Sequence, residues 1–180
     1  NFKRYAESVL NGADPVLGES LIPVRIADDG TVTKADTQNE WYNYTNKVWA
    51  NAVILEDETI TYNNGDTIPE SNIESYFVWI PRYKYKIWDE GQYTNVTTID
   101  ESKVHTIQVE FETKDVTASK GSTTNSWLTH PAFTAFDVNG LWVGKFESGY
   151  KGATSTGGAQ VNSSDSTKLQ IKPNVYSWRG

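Results

Sequence analysis

The rhythm of apolar and polar positions changes after the first dozen residues. Phe2, Tyr5, Ala6, Val9 and Leu10 recur at spacings of three and four until Gly12 stops the run. That spacing predicts a short N-terminal helix over residues 1–12. A helix this short is not stable alone and must pack on something, either as a docking helix or as the end of a longer one. Asp14-Pro15 then forces an extended or turning path.

From Leu21 the pattern turns to β character. Leu21 to Ile26 is a strand, Asp28-Asp29-Gly30 a hairpin turn, and Thr31 to Thr33 its partner. Trp41 to Leu55 holds a second hairpin or a strand pair around Thr45-Asn46-Lys47, and Asn63 to Asp66 is a turn. Ile68 to Glu74 accommodates a helical turn with Ser71 as its cap. Tyr76 to Trp88 carries the densest strand signal, bent at Pro81. In His105 to Thr113, Ile107, Val109 and Phe111 alternate with Gln108, Glu110 and Glu112, the mark of a strand with one buried and one wet face. Lys114 to Asn125 is a polar loop, Leu141 to Phe146 a strand, Lys151 to Lys168 a long surface loop, and Leu169 to Pro173 a last strand. The expected class is mainly β (α+β), a short N-terminal helix followed by antiparallel sheets, with organisation 1–12, 13–75 and 76–180.

Composition narrows the chemistry. The 180 residues include seven Trp and ten Tyr but no Cys and no Met, and the formal net charge is −7. Absence of Cys excludes a disulfide framework, a thiolate nucleophile and a zinc finger. Two His, His105 and His130, are too few for a His-rich metal site. The acidity argues against nucleic acid and against an anionic membrane surface. No apolar run approaches the roughly 18 residues of a spanning helix. Glu56-Asp57-Glu58 reads as a solvated loop, and Glu110 with Glu112 as a solvent face. Asp28 and Asp29 resemble pieces of a calcium loop, but turn chemistry accounts for them. His130 precedes Pro131 in a loop, and no Gly-x-Ser-x-Gly elbow occurs. No catalytic residue, metal ligand or cofactor is assigned, and the chain reads as non-enzymatic. Asn43, Asn95 and Asn162 sit in glycosylation sequons, which matter only where the source uses them.

The aromatics carry more. Trp41, Tyr42, Tyr44 and Trp49 lie in one hairpin-sized segment, and Tyr83, Tyr85 and Trp88 in another. Such groups either pair strands and fill a core or form platforms on which sugar rings stack.

Three blocks resemble the first half of a formylglycine-generating-enzyme-like domain, a variant of the C-type lectin fold. They are Phe77-Val78-Trp79-Ile80-Pro81, Leu141-Trp142-Val143-Gly144-Lys145-Phe146-Glu147, and Lys172-Pro173-Asn174-Val175-Tyr176-Ser177-Trp178. The wider pattern, with Gly12-Ala13-Asp14-Pro15, Trp41 to Asn51 and Ile68 to Arg82, is similar to prepilin-type surface proteins of gut Firmicutes. The resemblance implies a C-type-lectin-like second part and extracellular, cell-surface display. It carries over no site residue, and the missing Cys separates this chain from the oxidase chemistry of the enzymes. Because the matching pattern stops at Gly180, the expectation is a lectin-like half completed by a further piece, by a partner subunit, or by the N-terminal segment. Two functional expectations follow. One is a pilin-like or adhesin module that meets other copies of itself or surface subunits, in a filament or oligomer, through β edges and aromatic patches. The other is a carbohydrate-binding module or phage receptor-binding protein with glycan partners. Neither nucleic acid nor a membrane is expected as a partner.

Overall fold

The computed structural model describes residues 11–87, 107–114, 127–155 and 165–177. It is mainly β, built of antiparallel sheets with little helix. The predicted N-terminal helix over 1–12 lies, but for its last two positions, outside the described residues. The chain forms two compact units: a larger one of Val16–Trp79 with Trp142–Gly180, and a smaller one of Asn1–Pro15 with Ile80–Leu141.

The larger unit rests on a five-stranded sheet in the order β2-β1-β3-β4-β8. Its strands are β1 (Ile22–Ile26), β2 (Val32–Lys34), β3 (Asn51–Leu55), β4 (Ile73–Pro81) and β8 (Gly140–Gly144). The β1–β2 hairpin closes as the Asp-Asp-Gly signal predicts. Gly30 takes a φ of 86°, Ala27 N–H donates to the Thr31 carbonyl, and Asp29 Oδ1 accepts from Thr31 N–H at 2.9 Å. β3 lies between β1 and β4, and its Asn51, Ala52, Val53 and Leu55 are all buried, so its continuous apolar run packs on both faces. One side of the core gathers Val24, Val32, Val53, Leu55, Ile68, Ile73 and Tyr76; another gathers Ala35, Trp41, Ala50 and Trp79. A two-stranded sheet of β9 (Gly149–Tyr150) and β10 (Leu169–Gln170) adjoins β4 through a parallel Ser75–Ile171 bridge.

Two local expectations change. The helical turn is Glu70–Asn72, and its cap position is Pro69, not Ser71. It is held instead by buried Asn72, which accepts from Asp57 N–H and donates to the Tyr62 hydroxyl, both at 2.9 Å. The Trp41 to Leu55 segment contains one strand, not two. Its turn is a 3-10 helix, Tyr44–Asn46, closed by an antiparallel Asn43–Val48 bridge.

The smaller unit holds a three-stranded sheet, β6-β5-β7: β5 (Tyr83–Ile87), β6 (Ile107–Phe111) and β7 (Leu128–Thr129). β6 departs from the half-buried reading, because Ile107 and Val109 are 61% and 58% exposed. Among the described residues β6 is the outer strand of this sheet, and the burial concentrates on the other side of β5, where Tyr83 meets Phe133 edge to face. Phe133 sits in a helix, α1 (Pro131–Phe136), where the sequence suggests a loop. At six residues the helix is too short for its periodicity to register.

At the end of this sheet, where β5 begins and β6 ends, lies a buried ion pair. Arg82 Nε donates to Glu112 Oε1 at 3.0 Å, with both side chains almost fully buried. Thr129 Oγ1 donates to the same oxygen at 2.6 Å, and Arg82 Nη1 reaches the Val138 carbonyl. Removing one member strands a buried charge, whereas replacing both with apolar groups of similar size need not destabilise. Glu112→Ala is therefore expected to cost about 3–5 kcal/mol in urea unfolding, and an Arg82→Met/Glu112→Leu pair far less. Equal losses in the two variants would contradict this account.

Candidate functional site

The aromatic segment of the larger unit builds the site. Asn43 Oδ1 accepts from Asn46 N–H, Lys47 takes a left-handed φ of 61°, and the chain returns at Val48. This compact turn lines up four rings edge to face: Trp41 with Tyr42 at 5.2 Å between centroids, Tyr42 with Tyr44 at 5.7 Å, and Tyr44 with Trp49 at 5.1 Å. Such geometry suits the ring quadrupoles, which favour edge against face.

One end of this chain of rings is core and the other is open. Trp41 is buried beside Trp79, and Tyr42 and Tyr44 pack against the same cluster. Trp49 is 47% exposed. The Tyr44 hydroxyl fixes the turn to the sheet by donating to the Trp79 carbonyl and accepting from Ala50 N–H. Trp49 is thus an exposed indole on a rigid base.

Beside it opens a cleft of about 310 Å³. Trp41, Val48 and Trp49 form its apolar wall, and Arg25, Asp28, Lys47, Asn51 and Lys145 supply polar groups. Lys145 Nζ donates to Asn51 Oδ1 at 2.6 Å, and burial pulls its ammonium below the ordinary value of 10.5. Arg25 Nη2 donates to the Glu40 carbonyl. A concavity with apolar surface and convergent polar groups is a form that small-ligand sites take, and here polar and apolar residues share the lining almost equally. A second cavity in this unit, of about 210 Å³, is bordered by Glu19, Glu58, Lys34 and a single aromatic, Tyr62.

The sequence-predicted residues separate accordingly. Trp41, Tyr42, Tyr44 and Trp49 come together, but only Trp41 and Trp49 line the cleft. Tyr83 and Tyr85 lie on β5 of the smaller unit; Tyr83 packs on Phe133 and on the His130 ring. Trp88 lies outside the described residues. His130 caps α1, its Nδ1 accepting from Ala132 N–H at 3.2 Å. Among the described residues no group of three or more His, Cys, Asp or Glu is placed to hold a metal ion, and no helix is long and apolar enough to cross a membrane. Sequence reasoning missed Arg25, Asn51 and Lys145 as cleft residues, since only folding joins positions 94 apart in the chain. Lys47 was within view, between Tyr44 and Trp49.

Compared with protein-family models, curated proteins and solved structures, the chain matches none.

The Tyr44 anchor has a pH signature. Burial pushes its phenol from 10.0 up to about 12, against the opposing pull of the Ala50 N–H. The folded chain then holds a proton that the unfolded chain releases above 10. The stability it contributes is complete below that pH and is lost as pH rises toward 12. Tyr44→Phe is expected to cost about 1–3 kcal/mol at neutral pH and to flatten the alkaline decline in thermal melts. An unchanged alkaline slope would contradict the assignment.

Proposed function

We propose that this chain is a non-enzymatic, extracellular binding module that holds a saccharide against Trp49. The observation that carries the reading is the half-exposed indole on a braced base, beside a cleft with polar groups at hand. A sugar ring offers an apolar face that stacks on an indole and hydroxyls that take up side-chain amides and ammonium groups. Rigid aromatics give such contacts at low entropic cost, since little side-chain freedom is lost on binding. Support for surface display comes from the sequence: an acidic chain with no oxidisable Cys or Met suits exposed, oxidising surroundings. The C-type-lectin-like lineage belongs to this proposal too. Its support is that the Phe77–Pro81 and Leu141–Gly144 blocks fall on β4 and β8, neighbours in one sheet.

A second reading, assembly with other copies or with surface subunits, draws on β6. Outermost in its sheet among the described residues, this strand presents exposed Ile107 and Val109, and an apolar edge strand is a template for strand addition. Electron micrographs of the native material separate the two readings: fibres favour assembly, and discrete particles favour the binding module.

For the binding module, oligosaccharide affinity is measured by glycan array and calorimetry. Trp49→Ala removes a stacking contact worth up to about 1.5 kcal/mol beyond its area, so affinity is expected to fall roughly tenfold with the far-ultraviolet spectrum unchanged. Absence of glycan binding, or binding indifferent to Trp49, would reject the reading.

A further inference from the structure

The charges around the cleft narrow the ligand class, on the premise that the cleft binds saccharide. Among the described residues, four cations outside the cleft meet carboxylates: Lys84 with Glu110, Lys114 with Asp137, Arg82 with Glu112, and Lys151 with both Glu56 and Glu74. Lys34 and Lys172, which do not line the cleft, donate instead to backbone carbonyls. The cleft gathers three cations in one place. Arg25, Lys47 and Lys145 line it against a single carboxylate, Asp28, and among the described residues none of the three cations has an ion-pair partner within 4 Å. Arg25 spends one nitrogen on a neutral carbonyl, and Lys145 spends its bond on a neutral amide. Three unneutralised cations converge on one concavity in a chain whose net charge is −7.

That arrangement is costly without an anion. The Lys145 ammonium has given up part of its hydration and has only a neutral amide oxygen in exchange. The overall negative charge repels anions at long range, but that field is screened beyond a Debye length of about 8 Å at physiological salt. Inside the cleft the local cations decide.

We propose that the cleft selects acidic saccharides, with a sugar ring stacked on Trp49 and its carboxylate received by Lys145, Lys47 and Arg25. The geometry favours a carboxylated sugar over a bare anion because the cations share the wall with the indole. Charge-assisted hydrogen bonds give the carboxylate its preference, and stacking restricts it to a ring. A uronate within a chain and a terminal sialate offer the same chemistry.

The test is calorimetry of the whole chain against four saccharide probes, a galacturonate hexamer, a galactose hexamer of the same linkage as its neutral counterpart, sialyllactose and lactose, with polyglutamate as a bare-anion control. At least one acidic probe is expected to bind about tenfold or more tightly than its neutral counterpart. The arm that responds identifies the source of the carboxylate. Lys145→Met should remove most of that advantage. Lys47→Asn should reduce it as well, and its exposed position, with Asn tolerant of the left-handed backbone, keeps the fold safe. Acidic and neutral probes binding alike, both lost in Trp49→Ala, would overturn the charge selection while leaving saccharide binding intact. Failure of all four probes would overturn both. Equal, Trp49-independent binding of polyglutamate would show a plain anion patch and overturn the proposal.

Discussion

One hydroxyl joins the aromatic turn of the larger unit to its sheet. The turn through residues 44–46 carries no buried residue of its own; ring contacts, backbone bonds and the Asn43 side-chain cap hold its shape. Tyr44 joins it to the sheet, reaching the carbonyl of Trp79 on β4 and the amide of Ala50 just before β3. Those two strands pair with each other, so the phenol spans a rigid ladder rather than two independent loops. A buried hydroxyl is stable only when its partners are in place, which makes the link conditional on the correct packing of Trp41 and Trp79 around it. Core, turn and exposed indole are therefore one mechanical unit.

This coupling gives the aromatic richness two roles. Trp41 and Trp79 are core, while Trp49 spends part of its surface on Tyr44 and leaves the rest to solvent. An exposed indole on a floppy loop would lose on binding what it gains in contact; here that ordering cost is met in folding. In the proposed reading, the same preorganisation lets cations from β1, from the turn and from beyond β8 act on one ligand group.

Much of the fold was legible in the chain. The Asp-Asp-Gly turn and the strand before it are local signals that the structure carries in place, whereas the single bent strand expected over Tyr76 to Trp88 is two strands, β4 ending at Pro81 and β5 starting at Tyr83, in different sheets. What escaped depended on partners. β6 has the alternation of a half-buried strand, yet its apolar side is open because sequence period cannot say whether another layer covers a face. α1 is too short for periodicity, and its proline and histidine read as loop until His130 is seen capping it. The four clustered aromatics were legible as a group by their proximity. Which of them would be buried was not, because that follows from Trp79 and Trp142, residues distant in sequence that pack in the same cluster. The positive lining of the cleft was equally hidden, since Arg25 and Lys145 come from opposite parts of the chain.

The most direct measurement is a nitrogen–proton correlation spectrum of the indole groups during separate titrations with the galacturonate hexamer and with sialyllactose, read for whichever of the two binds. The account predicts that the Trp49 indole signal shifts progressively and saturates, while that of Trp142, whose Nε1–H is bonded to the Val16 carbonyl, stays in place. A saturable shift at other indoles with Trp49 unmoved would contradict it.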